Sequence, residues 1–362
     1  MKRVSNAKAK GGIAGTGAVS IAHAETMPPA KYSCAPSNGL SYICGPTASE
    51  DLAHIPGTRW LVSSGLNIGS PAHLYIIDGR TKRAAILFPI GMPQMRPAAG
   101  GIGERAEPPD LATMSIDGIN LRAGPDGQHT LYAANHGDRF AIEIFKIDAR
   151  GPVPTASWVG CVPAPPGTRP NAVVPMADGG LLVGSFYDPR DKEAWVKMGR
   201  GEDTGSLWEW YSGRGFSPVD AGGISGANGL EISADEATIY VSAWSGRAIV
   251  IFDRRTGVRH DIRLEFLPDN IKRAPDGSLF VAGQRSNVAK IAACDGPECP
   301  QPWIIARIDP VRATVTALVT RSGNELINYS CGALEMEGTL YITARGDRRL
   351  AYLPMASLPS LR

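Results

Sequence analysis

Glu50, Asn171, Asn228, Asp269 and Asn270 stand far apart in the chain, and each offers a carboxylate or amide oxygen as its ligand atom. Each also lies seven to ten residues ahead of a short polar turn, as do Asp117 and the Ser330-Cys331 step. Oxygen-only donors, carboxylates mixed with amides, suit a hard cation held by roughly six to eight oxygens, Ca2+ before zinc or copper. Taken singly, these residues have a plainer use, since Asp and Asn cap turns throughout β-proteins. Their recurrence at matching offsets favours one shared partner, because polar groups that converge in a buried place must be satisfied.

The turns that set this register recur six times. IPGTRWLVSSG (55–65), PDGQHTLYAANHG (125–137), ADGGLLVGSFYD (177–188), ADEATIYVSAWSG (234–246), PDGSLFVAGQRSN (275–287) and MEGTLYITARGD (336–347) each join a polar turn to a run of β-branched, aromatic or large apolar residues. With Gly57, Gly127, Gly179, Glu236, Gly277 and Gly338 as equivalents, the steps are 70, 52, 57, 41 and 61 residues, room for one four-stranded sheet each. LYIIDGR (74–80), IEIFKID (142–148), IVIFDRR (249–255) and IARIDP (305–310) supply a following strand. With no long amphipathic helix to cover a parallel sheet, the pattern predicts an all-β fold, a six-bladed β-propeller, spanning residues 25–362 as one domain. In such a fold each innermost strand begins beside the central channel, which gathers the residues above around the axis.

A chain that is 43% hydrophobic and 20% charged can bury a core. Its net charge of +2, without a long Lys/Arg run, excludes a nucleic-acid partner. No apolar run approaches the roughly 20 residues of a transmembrane helix. Residues 1–24 begin with four Lys/Arg in the first ten and end in Ala22-His23-Ala24, which resembles a signal-peptidase site and predicts a periplasmic or secreted protein. The apolar content between Gly11 and Ala22 is thin for a signal peptide, so a cytoplasmic tail stands as the alternative. Cys34 with Cys44, and Cys294 with Cys299, lie close in loop-like segments and read as disulfides; Cys161 and Cys331 read equally as buried thiols.

SEDLAHIPGTRWLVSSGLN (49–67), LYAANHGDRFAIEIFKID (131–148), RPNAVV (169–174), ANGLEISADEATIYV (227–241) and LPDNI (267–271) resemble the corresponding stretches of the serum paraoxonases. More distantly they resemble the gluconolactonase and strictosidine-synthase-like propellers. The likeness runs from about Glu50 to Gly283 and weakens afterwards. It implies a six-bladed, calcium-dependent lactonase with side activity on aryl esters and phosphotriesters. On this resemblance Glu50, Asn171, Asn228, Asp269 and Asn270 match the ligands of the catalytic Ca2+, and His136 matches an active-site histidine. Two departures follow. Asp117, in IDGI, replaces the family's second active-site histidine, and Ala172 replaces a carboxylate that serves a second, structural calcium whose other ligand matches Asp51. The family's ring-closing disulfide also lacks a partner, since YLPMASLPSLR at the C-terminus has no cysteine.

The chemistry so implied is hydrolysis of a lactone or ester, with the carbonyl polarised by the metal and an activated water as nucleophile. Asp117, then Asp269, then His136 is the expected order of candidates for the base. A carboxylate beside a divalent cation is held ionised, so Asp117 needs partial burial to act as one. For His136 a hydrogen-bonded structural place is the competing reading. The insert 188–215 carries Trp195, Trp208, Trp210 and Tyr211, which read either as a loop over the channel mouth or, in LWEWY, as an alternating outer strand. Phe186 and Trp244 are the firmer pocket residues, and such a wall predicts a hydrophobic small-molecule lactone or ester. A condensing enzyme of the strictosidine-synthase type, a sugar-lactone hydrolase and a non-catalytic binding propeller are the alternatives.

Overall fold

Gly57, Gly127, Gly179, Glu236, Gly277 and Gly338 all take positive φ, from 57° to 97°, in the computed structural model. That backbone is free for glycine and strained for other residues. At Glu236 compensation is visible, because its carboxylate accepts the Ala177 N–H of the neighbouring sheet's turn at 2.6 Å. The six equivalent turns of the sequence are therefore six equivalent turns of the fold. The structure describes residues 33–91, 103, 107–293, 301–323, 326–346 and 348–358. The signal-peptide reading of 1–24 and the Cys294/Cys299 pairing lie outside them.

The strands are β1 (Ser41–Cys44), then β2 (Ser49–His54), β3 (Trp60–Gly65), β4 (Leu74–Asp78) and β5 (Arg83–Phe88) of blade 1. Blade 2 holds β6 (Ile116–Arg122), β7 (Gln128–Asn135), β8 (Ala141–Asp148) and β9 (Thr155–Pro163). Blade 3 holds β10 (Pro170–Pro175), β11 (Leu181–Ser185), β12 (Gly205–Tyr211) and β13 (Gly215–Ile224), with the short helix α1 (Ala194–Gly199) between β11 and β12. Blade 4 holds β14 (Ala227–Ile232), β15 (Thr238–Ala243), β16 (Ala248–Asp253) and β17 (Arg259–Arg263). Blade 5 holds β18 (Leu267–Arg273), β19 (Leu279–Gln284), β20 (Trp303–Asp309) and β21 (Thr314–Arg321), with α2 (Val288–Ala293) after β19. Blade 6 is β22 (Ser330–Met336), β23 (Thr339–Ala344) and β24 (Arg349–Pro354), completed by β1.

Each sheet is an antiparallel meander, and the six innermost strands β2, β6, β10, β14, β18 and β22 contact one another in a ring. The expected six-bladed propeller is the fold, and among the described residues the α-helices are two short ones. The first two strands of each blade read as largely buried runs because neighbouring blades cover them on both faces, while outer strands such as β13, β17 and β21 are largely exposed. Among the described residues, every one of the six interfaces between neighbouring blades has its own apolar cluster. Trp158, for example, is fully buried between blades 1 and 2.

β1 runs antiparallel to β24, Ser41 opposite Tyr352 and Cys44 opposite Arg349, so backbone hydrogen bonds close the ring. The Cys34–Cys44 disulfide ties the segment ahead of β1 to its last residue. No helix among the described residues is long and apolar enough to cross a membrane.

All six innermost strands share one irregularity. Their pairing with the second strand slips at Ser49/Leu52, Ile116/Ile119, Pro170/Ala172, Ala227/Leu230, Pro268/Ile271 and Ser330/Gly332. A bulge leaves its extra residues out of the ladder and re-aims them. Here those residues are Glu50-Asp51, Asp117-Gly118, Asn171, Asn228-Gly229, Asp269-Asn270 and Cys331. In blades 2, 4 and 6 the bulge includes or adjoins a glycine against which the next blade packs. A Cβ on Gly118 would stand 2.5 Å from the Asn171 carbonyl, and one on Gly229 would stand 2.4 Å from that of Asp269.

Candidate functional site

The six bulges converge at one end of the channel, at the floor of a cavity of about 600 Å³. Glu50, Asp117, Asn171, Asn228 and Asp269, from five successive blades, line it and are all buried. One oxygen of each, Glu50 Oε2, Asp117 Oδ1, Asn171 Oδ1, Asn228 Oδ1 and Asp269 Oδ1, has no hydrogen-bond partner. The sixth blade contributes a thiol: Cys331 Sγ and oxygens of Glu50 and Asp269 lie within 4.8 Å of one another. Four of these orphaned buried oxygens, on Glu50, Asn171, Asn228 and Asp269, are the donor set of a hard divalent cation, so the residues fit one, with Asp117 Oδ1 left beside it.

The electrostatics carry the same demand. Burial lifts the Glu50 carboxyl well above the ordinary range, and the charges of Asp117 and Asp269 add to it. Asp269 is pushed up to about 7, by burial first, against a hydrogen bond from Gln284 that favours its ionised form. Arg345, at the cavity wall, lowers both without restoring either. Three converging carboxylates outnumber the one guanidinium that acts on them.

The remaining contacts orient these groups. Gln284, fully buried at the end of β19, donates to Asp269 Oδ2 at 2.7 Å and to the Ser330 carbonyl at 2.8 Å, while its own oxygen accepts the Trp244 indole N–H at 2.9 Å. Asn228 also donates to Asp269, which turns its own oxygen to the cavity. Asn270 reaches across from blade 5 to blade 1, where its amide donates to the Glu50 carbonyl at 3.3 Å and to Oε1 at 3.4 Å. It lies behind Glu50 rather than in the cavity lining.

His136 Nδ1 lies 3.1 Å from Asp117 Oδ2. Its Nε2 donates to the Pro170 carbonyl, an acceptor only, which fixes Nδ1 as the ring atom that faces Asp117. The His136 backbone is held in turn: its N–H donates to the Ser115 carbonyl at 2.7 Å, and the flanking Asn135 side chain accepts from Ser115 and Gly137. Behind Asn135 sits the buried Glu143, bonded to Arg139, Trp158 and Asn135. His136 thus has a structural hydrogen bond through Nε2 and also lines the cavity beside Asp117.

Phe186, Tyr187, Trp195 and Trp244 form the wall, with Phe186 and Trp244 ring centroids 5.4 Å apart and Trp195 and Trp244 6.0 Å apart. Of the insert's aromatics only Trp195, on α1, lines the cavity. Trp208, Trp210 and Tyr211 belong to β12, where Trp210 is buried between blades 2 and 3, as the alternating outer-strand reading requires. Gln284, Arg169, Arg345 and Tyr329 carry no sequence signal of a site. Gln284 lies within one of the six repeat copies and reads there as one more strand-end polar residue.

Asp51, next to Glu50, has no oxygen to spare. Oδ1 accepts the Leu52 N–H at 2.8 Å, and Oδ2 accepts the Ile119 N–H at 2.9 Å and Lys272 Nζ at 2.7 Å. The lysine ammonium also meets the Ile119 carbonyl at 2.8 Å. With Ala172 in blade 3 offering no side-chain donor, these residues do not fit a second divalent ion, whose charge Lys272 supplies.

The arylesterase family model matches residues 202–350, a stretch that holds Asn228, Asp269, Asn270 and Cys331 and continues well past Gly283, where the motif likeness thins. No curated protein sequence matches the chain. Among solved structures, a luciferin-regenerating enzyme shares 14% identity at a TM-score of 0.55, over 89% of this chain and 98% of that one. A gluconolactonase from Xanthomonas campestris shares 19% at 0.54, over 93% and 96%. Regucalcin from Agrobacterium tumefaciens, a calcium-binding protein, shares 13% at 0.50, over 86% and 94%. Lyases and dehydrogenases have this fold too, so it does not fix the chemistry. Residues 202–350 match the arylesterase family model, and the likeness to the gluconolactonase and regucalcin structures shows the fold, a six-bladed propeller.

Proposed function

We propose that the chain is a calcium-dependent hydrolase that opens a lactone or cleaves an aryl ester. The observation that carries this reading is the set of five unpartnered buried oxygens, one from each of five successive blades, on the floor of an aromatic-walled cavity. The arylesterase match supports ester chemistry. Glu50, Asn171, Asn228 and Asp269 would hold Ca2+, with Asn270 steadying Glu50 and Gln284 steadying Asp269. When bound, the ion supplies Lewis-acid stabilisation of the charge that develops on the carbonyl oxygen.

Asp117 has the geometry of the base. Oδ1 is unpartnered and faces the cavity, while Oδ2 lies 3.1 Å from His136 Nδ1. As the water oxygen bonds to the carbonyl carbon, its proton passes to Oδ1, and on cleavage of the C–O bond that proton goes to the departing oxygen. Asp269 is the weaker candidate, since a carboxylate that ligates a cation has its lone pairs committed. The Phe186–Trp195–Trp244 wall excludes water from the substrate's body and sets its orientation. The Cys34–Cys44 disulfide belongs to oxidising compartments, which extends the proposal to a periplasmic or secreted protein.

The test is hydrolysis of an aliphatic lactone, an aromatic lactone and phenyl acetate with Ca2+, with EDTA, and with Ca2+ restored. Turnover lost to the chelator and regained with calcium supports the reading. A calcium-loaded protein that turns over none of the three overturns it in favour of a binding propeller.

A further inference from the structure

Arg169 lies two residues ahead of Asn171, and alternate residues of an extended segment face the same side, so both line the cavity. Its backbone is anchored at the top of blade 3: the N–H donates to Ser185 Oγ at 2.9 Å, and the carbonyl accepts the Phe186 N–H at 3.0 Å. The guanidinium lies over the Tyr187 ring, 5.3 Å from its centroid. Stacking of this kind leaves the in-plane N–H donors free. Among the described residues no carboxylate or other acceptor takes them. Asp188, the acid beside Tyr187, is already held by Arg190 at 2.9 and 2.7 Å.

The other cavity arginine is differently engaged. Arg345 lies over Tyr329, 4.9 Å from the ring centroid, and its charge acts on Glu50 and Asp269 at the floor. Arg169 is thus a half-buried cation set in the aromatic wall formed by Phe186, Tyr187 and Trp195, and it lines the cavity.

We propose that Arg169 determines specificity by pairing with a carboxylate on the substrate, so that the cavity takes an amphiphilic acid: an apolar body against the aromatic wall, an acidic group at Arg169 and the scissile carbonyl at the floor. This rests on the hydrolase reading of the same site and narrows its substrate class from a purely hydrophobic ester or lactone to one that carries a carboxylate. A planar guanidinium and a carboxylate meet through two parallel hydrogen bonds, which gives direction as well as attraction.

The test separates binding from turnover. Trp195 and Trp244 line the cavity, so intrinsic fluorescence reports occupancy. The calcium-loaded wild type is titrated with 4-phenylbutyrate and with its primary amide, then Arg169→Gln and Arg169→Lys are titrated likewise. The expected result is about tenfold tighter binding of the acid by the wild type, a ratio near one for Arg169→Gln, and partial recovery in Arg169→Lys. Equal binding of acid and amide by the wild type, or an unchanged ratio in a folded Arg169→Gln, overturns the proposal. Failure of the hydrolase reading would show separately, as absent turnover of neutral and acidic esters alike with the binding ratio intact.

Discussion

The Lys272 ammonium lies 2.7 Å from Asp51 Oδ2, a contact that joins blade 5 to blade 1 across the axis with both side chains buried. The Asp51 carboxyl is raised by burial, and the charge and hydrogen bond of Lys272 work against that. Lys272→Met leaves a buried carboxylate without its cation, and the expected loss is about 3–5 kcal/mol in urea unfolding. Adding Asp51→Asn should recover part of it. A loss within 0.5 kcal/mol of zero for the single variant, roughly the scale of a neutral surface change, would mean that the pair does not hold the axis together.

Asp117→Asn keeps an oxygen at the same place but removes the base. Turnover of phenyl acetate should fall by about 100-fold to 10,000-fold, while the rise in Tm on adding Ca2+ remains. If calcium no longer raises Tm in this variant, Asp117 is a ligand and the base must be sought elsewhere.

Gln284 acts on the site only through Asp269, Trp244 and Ser330. Gln284→Leu, of similar volume, should weaken calcium affinity by about 10-fold to 100-fold, as loss of a residue that orients a ligand does. Trp244 emission should shift in the same variant because its indole N–H loses its acceptor. An unchanged calcium titration with a shifted emission would restrict Gln284 to the wall.

Removal of the cation should make stability fall with pH. Asp269 takes up a proton on folding when no cation is bound, because its carboxyl is raised to about 7 by burial from an unfolded value of about 4. Stability contributed by the protonated form is present below about pH 4 and is lost as pH rises towards 7. The Tm in EDTA should therefore decline between pH 5 and pH 8, and the increment from calcium should grow over the same interval. A calcium increment that is flat across that interval would contradict the site.

The fold was legible because its signal is local. A left-handed turn followed by an apolar strand repeats, and five of its six turn positions carry glycine. The candidate residues were legible for the same reason, since a fixed offset from each turn marks the bulge of each innermost strand. What was not legible depends on contacts between blades. Nothing near Gln284 in sequence announces that it will meet Ser330, nor that the Asn270 amide will reach Glu50 in another blade. Lys272 two residues further on reads as an ordinary strand residue, yet it answers the missing carboxylate at Ala172. The insert misled in part because LWEWY fits both a loop wall and a strand until register with β11 decides it.

The pairing of β1 with β24 also sets an order of events. During synthesis β1 leaves the ribosome ahead of all five other blades and has no strand partner until β24 has followed. Until then the last blade is incomplete, and the edges of the first and the fifth stay apart. Contacts such as Asn270 with Glu50 and Lys272 with Asp51 span those parts, so they can form only when the circle closes. Affinity for a divalent ion would then appear late and all at once, marking the moment at which folding is finished.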